Sequence, residues 1–244
     1  MNVDYKNTFK YFSSLYPNIA NGTVLDYGSN YGTFLASAGI NFKQENYTGI
    51  DVDSDAIEIG KKQFPNAEFI HYNSFNHMYN PHGLENLDLP ITKTYDTIIS
   101  YSVFTHTSEE DFLSRLEQLF RLVNPAGRIL FTFCDPDDLT TVEFFTRKRN
   151  ATFGKCDNIV TATKLYLVDA EIKLIPDINK MLITFYNREY LKSIFSKYTV
   201  SIHAAPMGCI NCFQSCVMLQ KKPHINIVLD KRYKYSYNRK TVNK

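Results

Sequence analysis

Apolar positions along this chain recur at two periods, and the two alternate. Thr23–Tyr27, Tyr47–Val52, Glu68–Tyr72, Tyr95–Tyr101 and Arg128–Cys134 are short apolar-rich runs that read as buried strands. Between them lie helical stretches: Phe9, Phe12 and Leu15 before Pro17, a short one through Phe34 and Leu35, and Ile57, Gly60 and Phe64 after Ser54. The clearest helix is the next. Ser108-Glu-Glu-Asp111 reads as a capping box, and Phe112, Leu116, Leu119, Phe120 and Val123 repeat at helical spacing until Asn124-Pro-Ala-Gly127 breaks the pattern. Strands alternating with helices predict an α/β fold with a doubly wound, mostly parallel sheet covered on both faces. Residues 135–186 leave this rhythm and read as an insertion after the fifth strand, on the acceptor side or as a lid. A last helix from Asn187 to about Tyr198 precedes extended stretches at Thr199–Ala204 and Phe213–Gln220. These are expected to pair as a hairpin, completing seven strands with an antiparallel edge strand.

Length and composition change this picture little. With 244 residues, 44% of them hydrophobic and 21% charged, one globular domain over residues 1–222 accounts for the chain. No apolar run reaches the roughly 18 residues of a membrane span. The opening Met1-Asn-Val-Asp-Tyr-Lys lacks a signal-peptide layout, so a cytoplasmic protein is expected, its five cysteines free thiols. Charge adds one feature. Residues 221–244 hold eight Lys/Arg against Asp230, a balance of +7, leaving −5 for the rest of a chain of net charge +2. Residues 223–244 therefore read as a basic, solvated tail, and the acidic body argues against a broad nucleic-acid surface.

Chemistry concentrates where the first strand turns into the following helix, in Val24-Leu-Asp-Tyr-Gly-Ser-Asn-Tyr-Gly32. Gly28 can take backbone angles denied to other residues, and Gly32 lets helix and strand approach closely. Free N–H groups at that helix start are expected to face whatever binds across the strand ends. Asp51 closes the next strand, 25 residues after Asp26, where a carboxylate can accept both hydroxyl hydrogens of an adenosine ribose. Asp53 suits the other role available to an acid here, capping the helix from Ser54.

On these residues the chain resembles the class I S-adenosylmethionine-dependent methyltransferases over roughly residues 20–222. That family's first motif reads acid-x-Gly-x-Gly-x-Gly. Here Asp26, Gly28, Asn30 and Gly32 occupy it, with asparagine, which tolerates the left-handed conformation, replacing the middle glycine. Tyr95–His106 is similar to the fourth motif, and Leu122-Val-Asn-Pro-Ala-Gly-Arg-Ile-Leu130 to the turn before the fifth strand. The resemblance implies a Rossmann-like fold and S-adenosylmethionine as cofactor. It puts Gly28, Ser29 and Asn30 beside the methionine moiety, with Tyr27 and Gly32 in the same turn and Asp26 anchoring the amino group. Asp51 takes the ribose and Val52 flanks the adenine. Asn73 or Ser74 meets the adenine amino group, Phe75 packs on its ring, and Ser100 and Tyr101 floor the methionine site. An NAD-type fingerprint needs a second glycine two residues after Gly28, and position 30 is Asn.

His106, just past the fourth strand, is the candidate general base for a hydroxyl acceptor. Asp135, Asp137 and Asp138 follow the fifth strand; they suit a sugar hydroxyl or a divalent ion, and equally a solvated turn. Cys209, Cys212 and Cys216 lack an evident fourth ligand, although His203 is near in sequence, and no metal is expected. The absence of an Asn/Asp-Pro-Pro-Tyr motif argues against amino methylation of DNA bases. The expected acceptor is an oxygen of a small polar molecule such as a sugar or nucleotide-sugar, because the Ser-Val-Phe-Thr-His stretch looks most like bacterial O-methyltransferases. Two alternatives stand beside it: an RNA or protein methyltransferase using the basic tail, and a non-catalytic cofactor-binding scaffold.

Overall fold

The computed structural model describes residues 7–76, 79–138, 141, 160–161, 165–170, 181–196, 198–204 and 214–220, with the backbone alone for those from 160 to 183. The strands are β1 (Val24–Tyr27), β2 (Tyr47–Asp51), β3 (Glu68–His71), β4 (Tyr95–Ser100), β5 (Val123–Phe133), β6 (Val160–Thr161), β7 (Leu165–Ala170), β8 (Met181–Tyr186), β9 (Thr199–His203) and β10 (Ser215–Gln220). The helices are α1 (Thr8–Leu15), α2 (Thr33–Ala38), α3 (Ser54–Gln63), α4 (Glu109–Arg121) and α5 (Arg188–Ile194).

Seven strands form one sheet in the order β3-β2-β1-β4-β5-β10-β9, and β6-β7-β8 form a separate antiparallel sheet within the insertion. The first five of the seven run parallel. β10 is antiparallel to both β5 and β9, so the expected hairpin forms and the reversed strand lies one place in from the edge. Chain order leads outward from β1 to β3 on one side and from β4 to β5 on the other. The carboxyl ends of β1 and β4 therefore flank the switch point where such sheets bind ligands.

Alternation along the strands feeds two cores. Leu25, Ile50, Ile98 and Phe131 face Phe112, Leu116, Leu119 and Phe120 of α4 and Leu191 of α5. Val24, Tyr47, Ile99 and Leu130 face α1, α2 and α3, with Phe12, Phe34 and Ile57. Each such fully buried large side chain contributes about 1.5–3 kcal/mol of transfer free energy. The helix starts are set by their caps: Ser108 Oγ accepts the Asp111 N–H at 3.1 Å, and Asp53 accepts those of Asp55 and Ala56. No helix among the described residues is long and apolar enough to cross a membrane.

β5 starts five residues earlier than the apolar run predicts. Tyr95 pairs with Val123 and Thr97 with Arg128, so the helix-breaking residues 124–127 become a bulge inside the strand. Asn124 Nδ2 donates to Asp96 Oδ1 at 2.8 Å across it. Ala126 carries a φ of 63°, a left-handed conformation that disfavours a Cβ. Ala126→Gly is therefore expected to stabilise the fold by about 1 kcal/mol, raising the thermal midpoint by about 2–4 °C. An unchanged midpoint would show that the bulge holds Ala126 without strain.

Candidate functional site

The turn after β1 is built on three left-handed residues spaced two apart: Gly28 at φ 82°, Asn30 at 50° and Gly32 at 89°. Asparagine does take the left-handed conformation here, and its Oδ1 accepts the Tyr31 N–H at 2.8 Å. Gly28 and Ser29 both donate their N–H to the Ile50 carbonyl, which fastens the turn to β2. A Cβ on Gly28 would come within 2.1 Å of Val103 Cγ2, so the loop after β4 packs directly on this turn. One on Gly32 would meet Phe69 Cζ at 2.8 Å, which explains the close seat of α2.

The N–H groups of the turn itself, ahead of the first turn of α2, already have acceptors. Asn30 donates to Asp51, Tyr31 to the Asn30 side chain, and Gly32 and Thr33 to the Ser29 carbonyl. The turn spends its donors on holding its own shape.

Asp51, at the end of β2, accepts the Asn30 N–H at 2.7 Å on Oδ2 and the Asp53 N–H at 3.0 Å on Oδ1. Burial pushes its pKa above the ordinary carboxylate value, against the pull of these two donors. Each carboxylate oxygen has a second acceptor direction, so both can still take a hydroxyl. Asp53 is the cap of α3, the division of roles expected from the sequence.

Asp26, 2% exposed, accepts the Tyr47 hydroxyl at 2.7 Å. Burial raises its pKa from 3.8 to about 7, with Tyr47 pulling down and Asp51 pushing up. A carboxyl whose folded pKa is raised favours the folded chain below its unfolded pKa, and that favour is lost as pH rises through the folded value. The thermal midpoint of the ligand-free chain is thus expected to fall between about pH 5 and pH 8, and less so in Asp26→Asn, followed by circular dichroism. Glu58, Glu68 and Asp96, whose pKa values are lowered from 4.5, 4.5 and 3.8, titrate below that window. Equal slopes in wild type and variant would sink this assignment to Asp26.

The other expected site residues divide into two groups. Ser29 is fully buried and lies over Gly49, where a Cβ would meet Ser29 Oγ at 2.8 Å. Ser100 closes β4, and its Oγ is buried with no hydrogen-bond partner among the described residues. Val52 follows Asp51, with its carbonyl 3.2 Å from His71 Nε2. Asn73 and Ser74 follow β3, which pairs with β2 beside Asp51. Ser74 is buried with Arg115 Nη2 donating to its Oγ at 3.2 Å, whereas Asn73 is exposed and accepts from Asn80. Phe75 is 47% exposed, a bare apolar face next to these two. Two residues turn elsewhere. Tyr27 points to the opposite face from Asp26 and stacks on Phe104 at 5.9 Å. The Tyr101 ring packs edge-on against Tyr11 and Phe12 of α1.

His106 ends a 3₁₀ turn, Phe104–His106, beyond β4. β8 holds that turn: Thr184 Oγ1 donates to the Thr107 carbonyl at 2.7 Å, and the Tyr186 hydroxyl to that of Phe104 at 3.4 Å. The Tyr186 N–H also donates to the Cys134 carbonyl at the end of β5. The last strand of the insertion thus braces the segment carrying His106.

Asp135 is neither a solvated turn nor an open ligand. Fully buried, it takes the Arg188 guanidinium at 2.7–2.8 Å and the Ser215 hydroxyl at 2.9 Å on one oxygen, and the Asp137 N–H on the other. Asp138 caps Thr141 and also accepts from Ser215. The pairing ties the end of β5 to α5 and β10, and the sequence carried no local sign of it because Arg188 lies 53 residues away. Cys134 and Cys216 are buried free thiols held far above their ordinary pKa by burial. Among the described residues no group of three metal-binding side chains occurs; Cys209, Cys212, much of the segment 135–186 and the tail lie outside them.

A family model described as a methyltransferase domain matches residues 5–202. Solved structures share the fold at low identity. The glycopeptide N-methyltransferase MtfA, crystallised with sinefungin, is 9% identical with a TM-score of 0.59, over 91% of this chain and 96% of that one. The Burkholderia thailandensis 1,6-didemethyltoxoflavin-N1-methyltransferase, with S-adenosylhomocysteine bound, is 10% identical with a TM-score of 0.58, over 91% and 80%. An S-adenosylmethionine-dependent methyltransferase from Clostridium acetobutylicum is 9% identical with a TM-score of 0.54, over 91% and 93%.

Proposed function

The chain belongs to the methyltransferase-domain family, and we propose that it transfers a methyl group from S-adenosylmethionine to an oxygen of a small polar acceptor such as a sugar or nucleotide-sugar. The observation that carries the reading is the Asp51 carboxylate, half-buried at the end of β2 and hydrogen-bonded to the left-handed turn of Gly28, Asn30 and Gly32. The residues present fit such a cofactor. Among the described residues, Ser100 Oγ is a buried hydroxyl lacking a partner, and the buried Asp26 carboxyl has no cationic hydrogen-bond partner. Each is a polar group whose burial is costly until a ligand satisfies it.

When bound, the sulfonium supplies an electrophilic methyl group; the protein supplies alignment and water exclusion. Asp51 offers its two spare acceptor directions to a ribose diol, and Asp26 its carboxylate to an ammonium group. Ser74 and the exposed Phe75 border the adenine end. For a hydroxyl acceptor the proton goes to an imidazole nitrogen of His106, on the turn that β8 braces. β8, the last strand of the segment after β5, lies against the turn carrying His106 on this acceptor side, a common place for substrate recognition.

The test is calorimetric titration of the purified protein with S-adenosylmethionine, S-adenosylhomocysteine and NAD. Micromolar binding of the first two and none of the third supports the reading and opens a screen of hydroxyl- and amine-bearing acceptors. Binding of NAD alone, or of none of them, overturns it.

A further inference from the structure

Gln214 lies just before β10, 4% exposed and outside the strand ladder. Its amide bridges two other strands. Nε2 donates to Ser102 Oγ at 2.8 Å, past the end of β4, and Oε1 accepts the hydroxyl of Thr132 in β5 at 2.5 Å. Thr132 Oγ1 in turn accepts the Ser102 N–H at 2.8 Å, and the Gln214 carbonyl accepts the Tyr11 hydroxyl from α1. Ser102 is thus held by backbone and side chain together, and it has a φ of 60°. That conformation costs a non-glycine residue about 1–2 kcal/mol and persists only where its surroundings impose it.

What Ser102 holds is the segment on both sides of the chemistry. The next residue, Val103, packs its Cγ2 where a Gly28 side chain would be. Ser102 Oγ also lies 3.5 Å from Thr105 Oγ1, buried beside His106. We propose that Gln214 is a positioning residue: through Ser102 it sets the loop after β4 against the glycine turn, so that cofactor affinity depends on the entry to the last strand. The inference rests on the glycine turn being the cofactor site.

The test compares wild type, Gln214→Met, Ser102→Ala and the double variant by calorimetric binding of S-adenosylhomocysteine, with thermal melting as a separate readout. Methionine keeps the volume of Gln214 and removes its hydrogen bonds. Each single change is expected to weaken binding about tenfold, the loss of one or two net hydrogen bonds. The double variant is expected to bind no more weakly than either single one, since both break one chain of contacts. Wild-type affinity in Gln214→Met overturns the inference, as does a hundredfold loss in the double variant, which would make the two sites independent. If Gln214→Met does not fold, Ser102→Ala in the half-buried loop decides alone, and unchanged affinity there overturns it. A wild-type chain that binds no S-adenosylhomocysteine overturns the proposed function, and the inference with it.

Discussion

Asp51→Ala is expected to weaken S-adenosylhomocysteine binding by at least about a hundredfold. A hydrogen bond to a charged group contributes about 1.5–3 kcal/mol, and the ribose diol would lose two of them, about 3 kcal/mol or more. The change also strands two backbone donors, the N–H groups of Asn30 and Asp53, that Asp51 now accepts. The turn would therefore loosen as the ligand contact disappears, and both effects act in the same direction. Asp51→Asn separates them: its carbonyl oxygen can keep one backbone donor, while its NH₂ faces the other. Its affinity should fall between wild type and Asp51→Ala. Calorimetry on all three proteins, each checked for native melting, reads the result. Wild-type affinity in Asp51→Ala would remove Asp51 from the cofactor site.

The second large effect is on turnover. His106→Ala should lower kcat for a hydroxyl acceptor by about 10²–10⁴-fold, the usual contribution of a general base. Affinity for S-adenosylhomocysteine should stay within about threefold, because the cofactor contacts proposed above lie at the ends of β1, β2, β3 and β4 and not at His106. The acid limb of the rate against pH, set by imidazole protonation, should vanish as well. A fall of under tenfold with a hydroxyl acceptor would remove His106 as the base.

How far the sequence reaches is clear from particular residues. Period alone located the parallel strands and α4, since burial on both faces or on one stripe is written into neighbouring positions. Caps were legible because their partners lie two or three residues away: Ser108 to Asp111, and Asp53 to Ala56. The tolerance of Asn30 for a left-handed backbone was legible for the same reason. What stayed hidden depends on which strands become neighbours. Gln214 reaches Ser102 across 112 residues, and Arg188 reaches Asp135 across 53. Neither spacing means anything until β10 is known to lie against β5. The partners of the turn's own donors were hidden likewise, because Ile50 and Asp51 become their acceptors only once β2 pairs with β1.

The sheet order has a consequence for how the molecule is made. β10, the last of the seven main-sheet strands to leave the ribosome, is the one that fits between β5 and β9. Until it arrives, the apolar strand Arg128–Phe133 presents an open edge, and β9 has no sheet to join. Tyr11, near the start of the described chain, likewise waits 203 residues for its acceptor. The nascent protein therefore carries a nearly complete glycine turn on a half-finished sheet, exposed to mispairing for as long as synthesis of the final strand takes. Slow codons or a stall after β9 should cost more yield than the same delay after β10.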